Sequence, residues 1–403
     1  MSSKRKTVIG VVFGGRSVEH DVSVVTGHQI MRAFDPERYE IIPIYITRDG
    51  KWYTGEPLND LKSFRNEVVS LAGVLPVALS PATNHHGLII NPTAAGLFAK
   101  STIKRLDVVF PAIHGSHGED GTLQGLLELA DIPYVGCGVM ASAIANDKLM
   151  TKTVLKAHGI PMVDSVSFTR SEWDADPDRI IHLIESTLPY PFFVKPVTLG
   201  SSIGITRATD SSMLRSSITI AANLDRRIMV ERAVNHPIEV NVSIIGDDRG
   251  YQTSVLEQPV SWEEFLTYEE KYLRGGEGMK SAERIIPAPI GDELTARIQD
   301  YAKRAFAAID GRGIARLDFM IQRDDDTVFL NEINTMPGSL SFYLWVENGM
   351  QPRDLVVKLV ELAQDAHAEK RRSTYDYQTN LIAVTAQRGL KGVKGAKKPA
   401  STS

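Results

Sequence analysis

The chain has 403 residues, 43% hydrophobic and 23% charged, enough for two or three domains with sizeable cores. Its net charge of −4 hides an asymmetry. From Ala366 onward eight Lys/Arg face only Glu369 and Asp376, a local +6 that leaves −10 on the rest, and so acidic a body argues against nucleic acid as the main ligand. No apolar run reaches the ~18–20 residues that cross a bilayer, MSSKRKTVIGVVF lacks a signal-peptide pattern, and the single Cys137 excludes an internal disulfide or a cysteine-based zinc cluster, so a cytoplasmic protein is expected.

TVIGVVF, over 7–13, reads as a buried strand, followed by a helix over 21–34 and a strand, YEIIPIYI, over 39–46. Between the first two lies FGGRSVEHDVS. Ligands of parallel α/β sheets bind beyond the carboxyl ends of the strands. Glu19 there can receive a substrate ammonium, or it can simply stabilise the helix N-terminus together with Asp21. The stretch is not a GxGxxG fingerprint, so a dinucleotide is not indicated. Residues 54–105 are less periodic and are expected to hold loops and short elements. LDVVFPAIHG, over 106–115, is another strand, and GTLQGLLELA, over 121–130, another helix. The loop between them, HGSHGEDG, carries His114 and the acids Glu119 and Asp120, which read either as site residues or as capping acids. The alternation implies a parallel sheet and a first domain over 1–141.

A second domain, 142–235, is expected to open with a helix over 148–158. It continues through FFVKPVTLGSSIGI, where Lys195 ends an apolar strand and a Gly/Ser loop suits phosphate oxygens. The strand IMVERAV ends near Glu231, and Glu239 lies eight residues on. A segment passing between domains here can offer its backbone to an adenine edge. A third domain, 236–368, holds strands over 239–246, 253–262, 315–322 and 328–333 and helices over 292–310 and 352–368. ARLDFM and VFLNEIN place Arg316 and Asp318, then Glu332 and Asn334, two apart, hence on one strand face each. If these strands pair, three oxygen ligands converge where Mg²⁺ shared with phosphates would sit, and Arg316 meets a phosphoryl group. Unpaired carboxylates within such apolar runs would be costly. The basic segment 369–403 reads as a disordered tail, either simply solvated or touching an acidic surface or nucleic acid.

Taken together, GGRSVEHDVS, HGSHGEDGTLQG, NDKLMTK, VKP…GSSIG, TYEEKY, ARLDFM and NEINTMPG resemble the D-alanine–D-alanine ligase family of the ATP-grasp superfamily, in order and spacing from Val8 to about Ala363. The resemblance implies an α/β, three-domain ATP-grasp architecture: an N-terminal parallel α/β domain, and ATP held between central and C-terminal α+β domains. It implies ATP-dependent joining of two D-alanines through an acyl phosphate, for peptidoglycan precursors, in a cytoplasmic homodimer without membrane or specific nucleic-acid partners. By similarity, Lys148, Lys195 and the lid residue Lys271 contact ATP phosphates. Glu231, Ala233, Val234 and Glu239 hold the adenine and ribose. Asp318, Glu332 and Asn334 hold two Mg²⁺ (or Mn²⁺). Glu19 takes the ammonium of the first D-alanine, linked to Ser201 and Tyr272, with His114 beside it. Arg316 and the Gly338 N–H stabilise the oxyanion. After Pro337-Gly338 the chain departs from the family pattern. SLSFYLW sets Tyr343 and Leu344 where a Ser-Leu pair usually binds the second substrate's carboxylate. Ser339 or Ser341 replaces that serine, or the acceptor differs, as in a related D-alanyl-X dipeptide or depsipeptide ligase.

Overall fold

The computed structural model describes residues 5–65, 67–91, 102–260, 284–374 and 381–388. Three sheets organise them. The first is seven-stranded. Its centre is β1 (Thr7–Gly14), with β2 (Tyr39–Ile46) on one side and β7 (Val108–Pro111) on the other, both parallel to β1. β1 is buried nearly throughout, which accounts for its continuous rather than alternating apolar sequence. Its carboxyl end, Gly14-Gly15, feeds α1 (His20–Ala33).

The expected parallel sheet is only part of what forms. β3 (Trp52–Thr54), β4 (Leu75–Leu79), β5 (Gly87–Ile90) and β6 (Thr102–Arg105) extend it antiparallel beyond β2. These strands are three to five residues long and β6 is mostly exposed, so they leave little hydrophobic pattern. α2 (Thr122–Leu129) covers one face through Leu123 and Leu127.

The second sheet, antiparallel, joins β8 (Ser165–Thr169), β9 (Phe192–Pro196), β10 (Thr206–Ala208) and β11 (Arg227–Arg232) in the order β10-β9-β11-β8. α5 (Arg170–Ala175), α6 (Pro177–Thr187) and α7 (Ser211–Leu224) supply its core partners Trp173, Ile180, Leu214 and Ile218. The third, also antiparallel, joins β12 (Ile238–Asp247), β13 (Gly250–Pro259), β14 (Arg284–Ile285), β15 (Gly313–Ile321) and β16 (Val328–Asn334) in the order β14-β13-β12-β15-β16. α8 (Asp292–Ala308) packs Ile298, Ala302 and Phe306 on it.

Packing crosses the expected boundaries. α3 (Val139–Asn146) and α4 (Lys148–Ala157) give Ala141, Ala145 and Leu155 to the core of the third sheet. α9 (Phe342–Glu347) and α10 (Pro352–Lys370) give Trp345, Leu355 and Leu359 to the core of the first. The first and third sheets thereby share packing elements.

The segment expected to be a disordered tail is corrected at its start. α10 continues to Lys370, which pairs with Glu128, while His367 Nε2 meets Asp131 Oδ1 at 2.9 Å. A further helix, α11, spans Leu381–Arg388, a run that includes the good helix formers Leu, Ala, Gln and Arg.

Candidate active site

A cavity of about 260 Å³ opens between the three sheets. Glu19 lines it from the first unit, Ser201 and Lys195 from the second, and Arg316, Glu332 and Gly338 from the third. A second cavity, about 440 Å³, adjoins it and shares Lys195, Glu231 and Glu239. Ala233 and Val234 line this second space with the apolar walls Val163, Phe193 and Met320. The Ala233 N–H is already donated to the Pro191 carbonyl, at 2.8 Å.

β15 and β16 pair antiparallel, with Asp318 opposite Glu332 and Arg316 opposite Asn334. A register shift follows at Asp318/Phe319, where Asn331 is the extra residue of β16. The pairing brings the expected oxygen donors side by side. Arg316 donates both Nε and Nη2 to the Asp318 carboxylate, each at 2.7 Å, and Asn334 Nδ2 donates to Asp318 Oδ2 at 3.1 Å. Burial, with Glu332 alongside, holds the Asp318 carboxyl above its ordinary range despite Arg316. Adjacent buried carboxylates of this kind carry negative charge that a cation relieves. Among the described residues no cluster of three or more His, Cys, Asp or Glu has metal-holding geometry. The set is two carboxylates and a carboxamide, a hard oxygen donor set that fits Mg²⁺ or Mn²⁺ once the Asn334 amide turns its oxygen inward.

Lys148 begins α4, whose N-cap Asp147 accepts the N–H groups of Leu149 and Met150. Its Nζ donates to the Leu199 carbonyl at 2.6 Å, ahead of the Gly/Ser loop. Lys195 is buried and paired with Glu231. Glu231 also takes Lys152 Nζ at 2.5 Å, and Lys152 in turn donates to the Val163 carbonyl at 2.7 Å. Burial alone would raise the Glu231 carboxyl, but the two lysines pull it down to about 2. Both Glu231 oxygens thus face lysines, a different arrangement from the adenine contact the resemblance implied. Lys152, within NDKLMTK, completes the triad.

Glu19 occupies the N-cap position of α1, yet its side chain makes no cap bond there. It instead accepts the Ser201 hydroxyl across the cleft. Ser201 and Ser202 both adopt left-handed backbone, φ 52° and 59°. Gly115 makes this approach possible: at φ +70° a Cβ would lie 2.6 Å from Glu19 Oε2. Asp21 faces outward to Arg48 at 2.7 Å, so only Glu19 turns to the site.

His114 does not line the cavity. It is buried behind the wall with Nε2 2.9 Å from Thr26 Oγ1. Burial lowers its pKa to about 4, so the imidazole is neutral at neutral pH. Thr26 Oγ1 also accepts the Ser339 N–H at 3.3 Å. Glu119 accepts the N–H of Gly115 at 2.7 Å and of Met336 at 2.9 Å, tying the first unit to the turn before Gly338. Burial, with Glu19 near, raises its carboxyl.

Tyr343, at the position the resemblance gave to the second substrate, lines the cavity, and beside it stand Glu257 and Arg284, which were not expected there. Glu257 stands in the same cross-strand row as Asn241, Asp318 and Glu332. The signal was the polar residue within the apolar run TSVLEQP, the same kind of signal that marked Glu332. Neither Ser339 nor Ser341 lines the cavity. Tyr272 and Lys271 lie outside the described residues.

Comparison with known proteins gives consistent matches. Residues 8–137 match the family described as D-ala D-ala ligase N-terminus, and 154–361 match D-ala D-ala ligase C-terminus. The chain is 38% identical over 382 residues to the D-alanine–D-alanine ligase of Natranaerobius thermophilus, covering 93% of this chain and 99% of that one. It is 39% identical over 378 residues to the corresponding ligase of Bacillus cytotoxicus, covering 92% and 99%. Among solved structures, VanG D-Ala:D-Ser ligase from Enterococcus faecalis superposes with a TM-score of 0.76 at 32% identity, over 89% of this chain and 100% of that one. The D-alanine–D-alanine ligase from Coxiella burnetii gives 0.74 at 28% identity, over 95% and 100%.

Proposed function

The chain belongs to the D-alanine–D-alanine ligase family, and from that premise we propose that the cavity between its three sheets joins two D-alanines at the expense of ATP. The observation that carries the reading is the juxtaposition across one cavity of Glu19, the lysines Lys148 and Lys195, and the Arg316–Asp318–Glu332–Asn334 ladder. An ammonium acceptor, a phosphate cradle and an oxygen donor set are the parts needed to activate one amino acid and couple it to another.

Glu19, steered by Ser201, receives the ammonium of the first D-alanine and aims its carboxylate at the γ-phosphate. The adenine enters the larger space between Phe193, Met320 and the 233–234 backbone, with Glu239 toward the ribose. Lys148 and Lys195 neutralise the phosphates. Lys195 can do so while paired, because an ammonium has three donors and Glu231 engages one. Glu231 therefore acts through Lys195. Asp318, Glu332 and Asn334 would hold two Mg²⁺ (or Mn²⁺), which when bound supply charge neutralisation at the transferred phosphoryl group.

The donor carboxylate oxygen attacks the γ-phosphorus, ADP leaves, and an acyl phosphate forms. The amine of the second D-alanine attacks the acyl carbon, loses a proton, and expels phosphate. Arg316 and the Gly338 N–H stabilise the tetrahedral oxyanion, a role typically worth several kcal/mol. His114, neutral and hydrogen-bonded to Thr26, keeps its ring behind the wall and supports the Gly338 turn rather than moving protons. A cytoplasmic homodimer, the division of the chain near 141, 235 and 368, and a closing role for Lys271 and Tyr272 are parts of the same proposal. The test is mass-spectrometric detection of D-alanyl-D-alanine formed in step with ADP and phosphate; ADP formation without dipeptide would refute it.

A further inference from the structure

The turn after Gly338 decides which side chain faces the second substrate. Ser339, Leu340 and Ser341 all take left-handed backbone, with φ 49°, 47° and 49°. Such conformations are unfavourable for non-glycine residues and persist where the surroundings impose them. The twist turns both serine hydroxyls into the protein, where they are buried without a hydrogen-bond partner. The next polar group, Tyr343 in the first turn of α9, is the one that reaches the cavity wall.

The Tyr343 hydroxyl is itself committed. It donates to Glu257 Oε1 at 2.5 Å, and the same oxygen accepts Asn241 Nδ2 at 3.1 Å. Glu257 lines the cavity but is only 2% exposed, with its carboxylate engaged by these partners. The group placed to meet a free carboxylate is Arg284. Its guanidinium lies 4.3 Å from the Tyr343 ring centroid and its Nη1 is 3.4 Å from Glu257 Oε2. Its side chain keeps 24% of its surface open and lines the cavity. Among the described residues the other cations of the cavity are already placed elsewhere in this reading: Lys148 and Lys195 at the phosphates, Lys152 on Glu231, and Arg316 on Asp318 and the oxyanion.

We propose that Arg284 binds the carboxylate of the acceptor amino acid, and that Tyr343 and Glu257 are positioning residues that hold the guanidinium flat and aimed into the cavity. The tyrosine thus substitutes for a short hydroxyl by carrying an arginine in its place. A planar fork suits a carboxylate, and an aromatic face orients it. The acceptor class is an amino acid with a free carboxylate, small enough to share about 260 Å³ with the donor.

This inference rests on the ligase reading above, and the experiment separates the two. D-Alaninamide has no carboxylate to phosphorylate, so it can serve only as acceptor. Wild type and R284Q are supplied with ATP, D-alanine as donor, and D-alanine and D-alaninamide as competing acceptors, and both dipeptide products are quantified. Wild type favours D-alanine. In R284Q that preference falls roughly ten- to hundredfold, the loss of one charge-assisted contact, while the KM for ATP is unchanged. R284K, which keeps the charge without the fork, gives an intermediate preference and decides the matter if R284Q does not fold. Y343F, which keeps the ring but drops the bond to Glu257, raises the acceptor KM without changing that for ATP. Undiminished preference for D-alanine in R284Q, or in R284K should only that variant fold, overturns the inference while the ligase reading stands. Wild type that makes no dipeptide from D-alanine overturns both.

Discussion

Replacing Glu231 by Gln leaves two buried ammonium groups without their counter-charge. Lys152 and Lys195 keep only 8% and 11% of their side-chain surface, and Glu231 6%. Breaking a buried ion pair by removing one partner costs about 3–5 kcal/mol. Two cations share this carboxylate, so the upper half of that range applies, softened by the bond Lys152 keeps to the Val163 carbonyl. In a large domain about 1 kcal/mol moves the melting point by roughly 2–4 °C, and the effect shrinks with size, so E231Q should melt about 5–10 °C below wild type. Removing the orphaned cation as well, in E231Q/K152M, should recover a substantial part of the loss, because these neighbours are coupled. ATP should raise the melting point of E231Q more than that of wild type, since its phosphates offer Lys195 a new partner. The assay is differential scanning fluorimetry on the three proteins with and without ATP. An E231Q melt equal to wild type, or a double variant less stable than the single one, would refute the lysine–carboxylate account.

Three other outcomes follow from the same geometry. R316Q removes both the Asp318 partner and an oxyanion donor, so kcat for phosphate release should fall about 10²–10³-fold; an unchanged kcat refutes its placement. E332Q should weaken Mn²⁺ binding, read by electron paramagnetic resonance in the presence of a non-hydrolysable ATP analogue, at least about tenfold, and equal binding would remove Glu332 from the donor set. His114 is neutral in the fold because burial depresses its pKa to about 4. Between pH 6.5 and 4 the unfolded chain therefore binds the extra proton, and stability falls as pH falls through that window, by about 3 kcal/mol from this group. H114N should flatten that part of the stability–pH profile measured by urea denaturation; an unaltered slope counts against a buried neutral imidazole.

The polar ladder of β15 and β16 and the first strand were legible because their signals are local. Carboxylates two apart inside apolar runs are conspicuous, and β15 and β16 form where ARLDFM and VFLNEIN stand. The Glu19 side chain was marked by its place beyond a strand end, though only the structure distinguishes it from a cap. Other features leave no such trace. β3 to β6 are too short for periodicity to register. Three successive left-handed residues at 339–341 have no residue signature, since none is glycine. That turn buries both serine hydroxyls. The Lys152–Glu231–Lys195 triad joins a helix to two strands, and such a contact is fixed by tertiary packing rather than by spacing along the chain. The bond from Met336 N–H to Glu119 likewise spans 217 residues, a tie between units that the loop's sequence does not signal.

The most direct measurement is the product balance of the purified protein with ATP, Mg²⁺ and D-alanine. One ADP, one phosphate and one D-alanyl-D-alanine per turnover, lost together in R316Q, is the result expected of this cavity. ADP and phosphate without dipeptide, or dipeptide formation indifferent to Arg316, would contradict it.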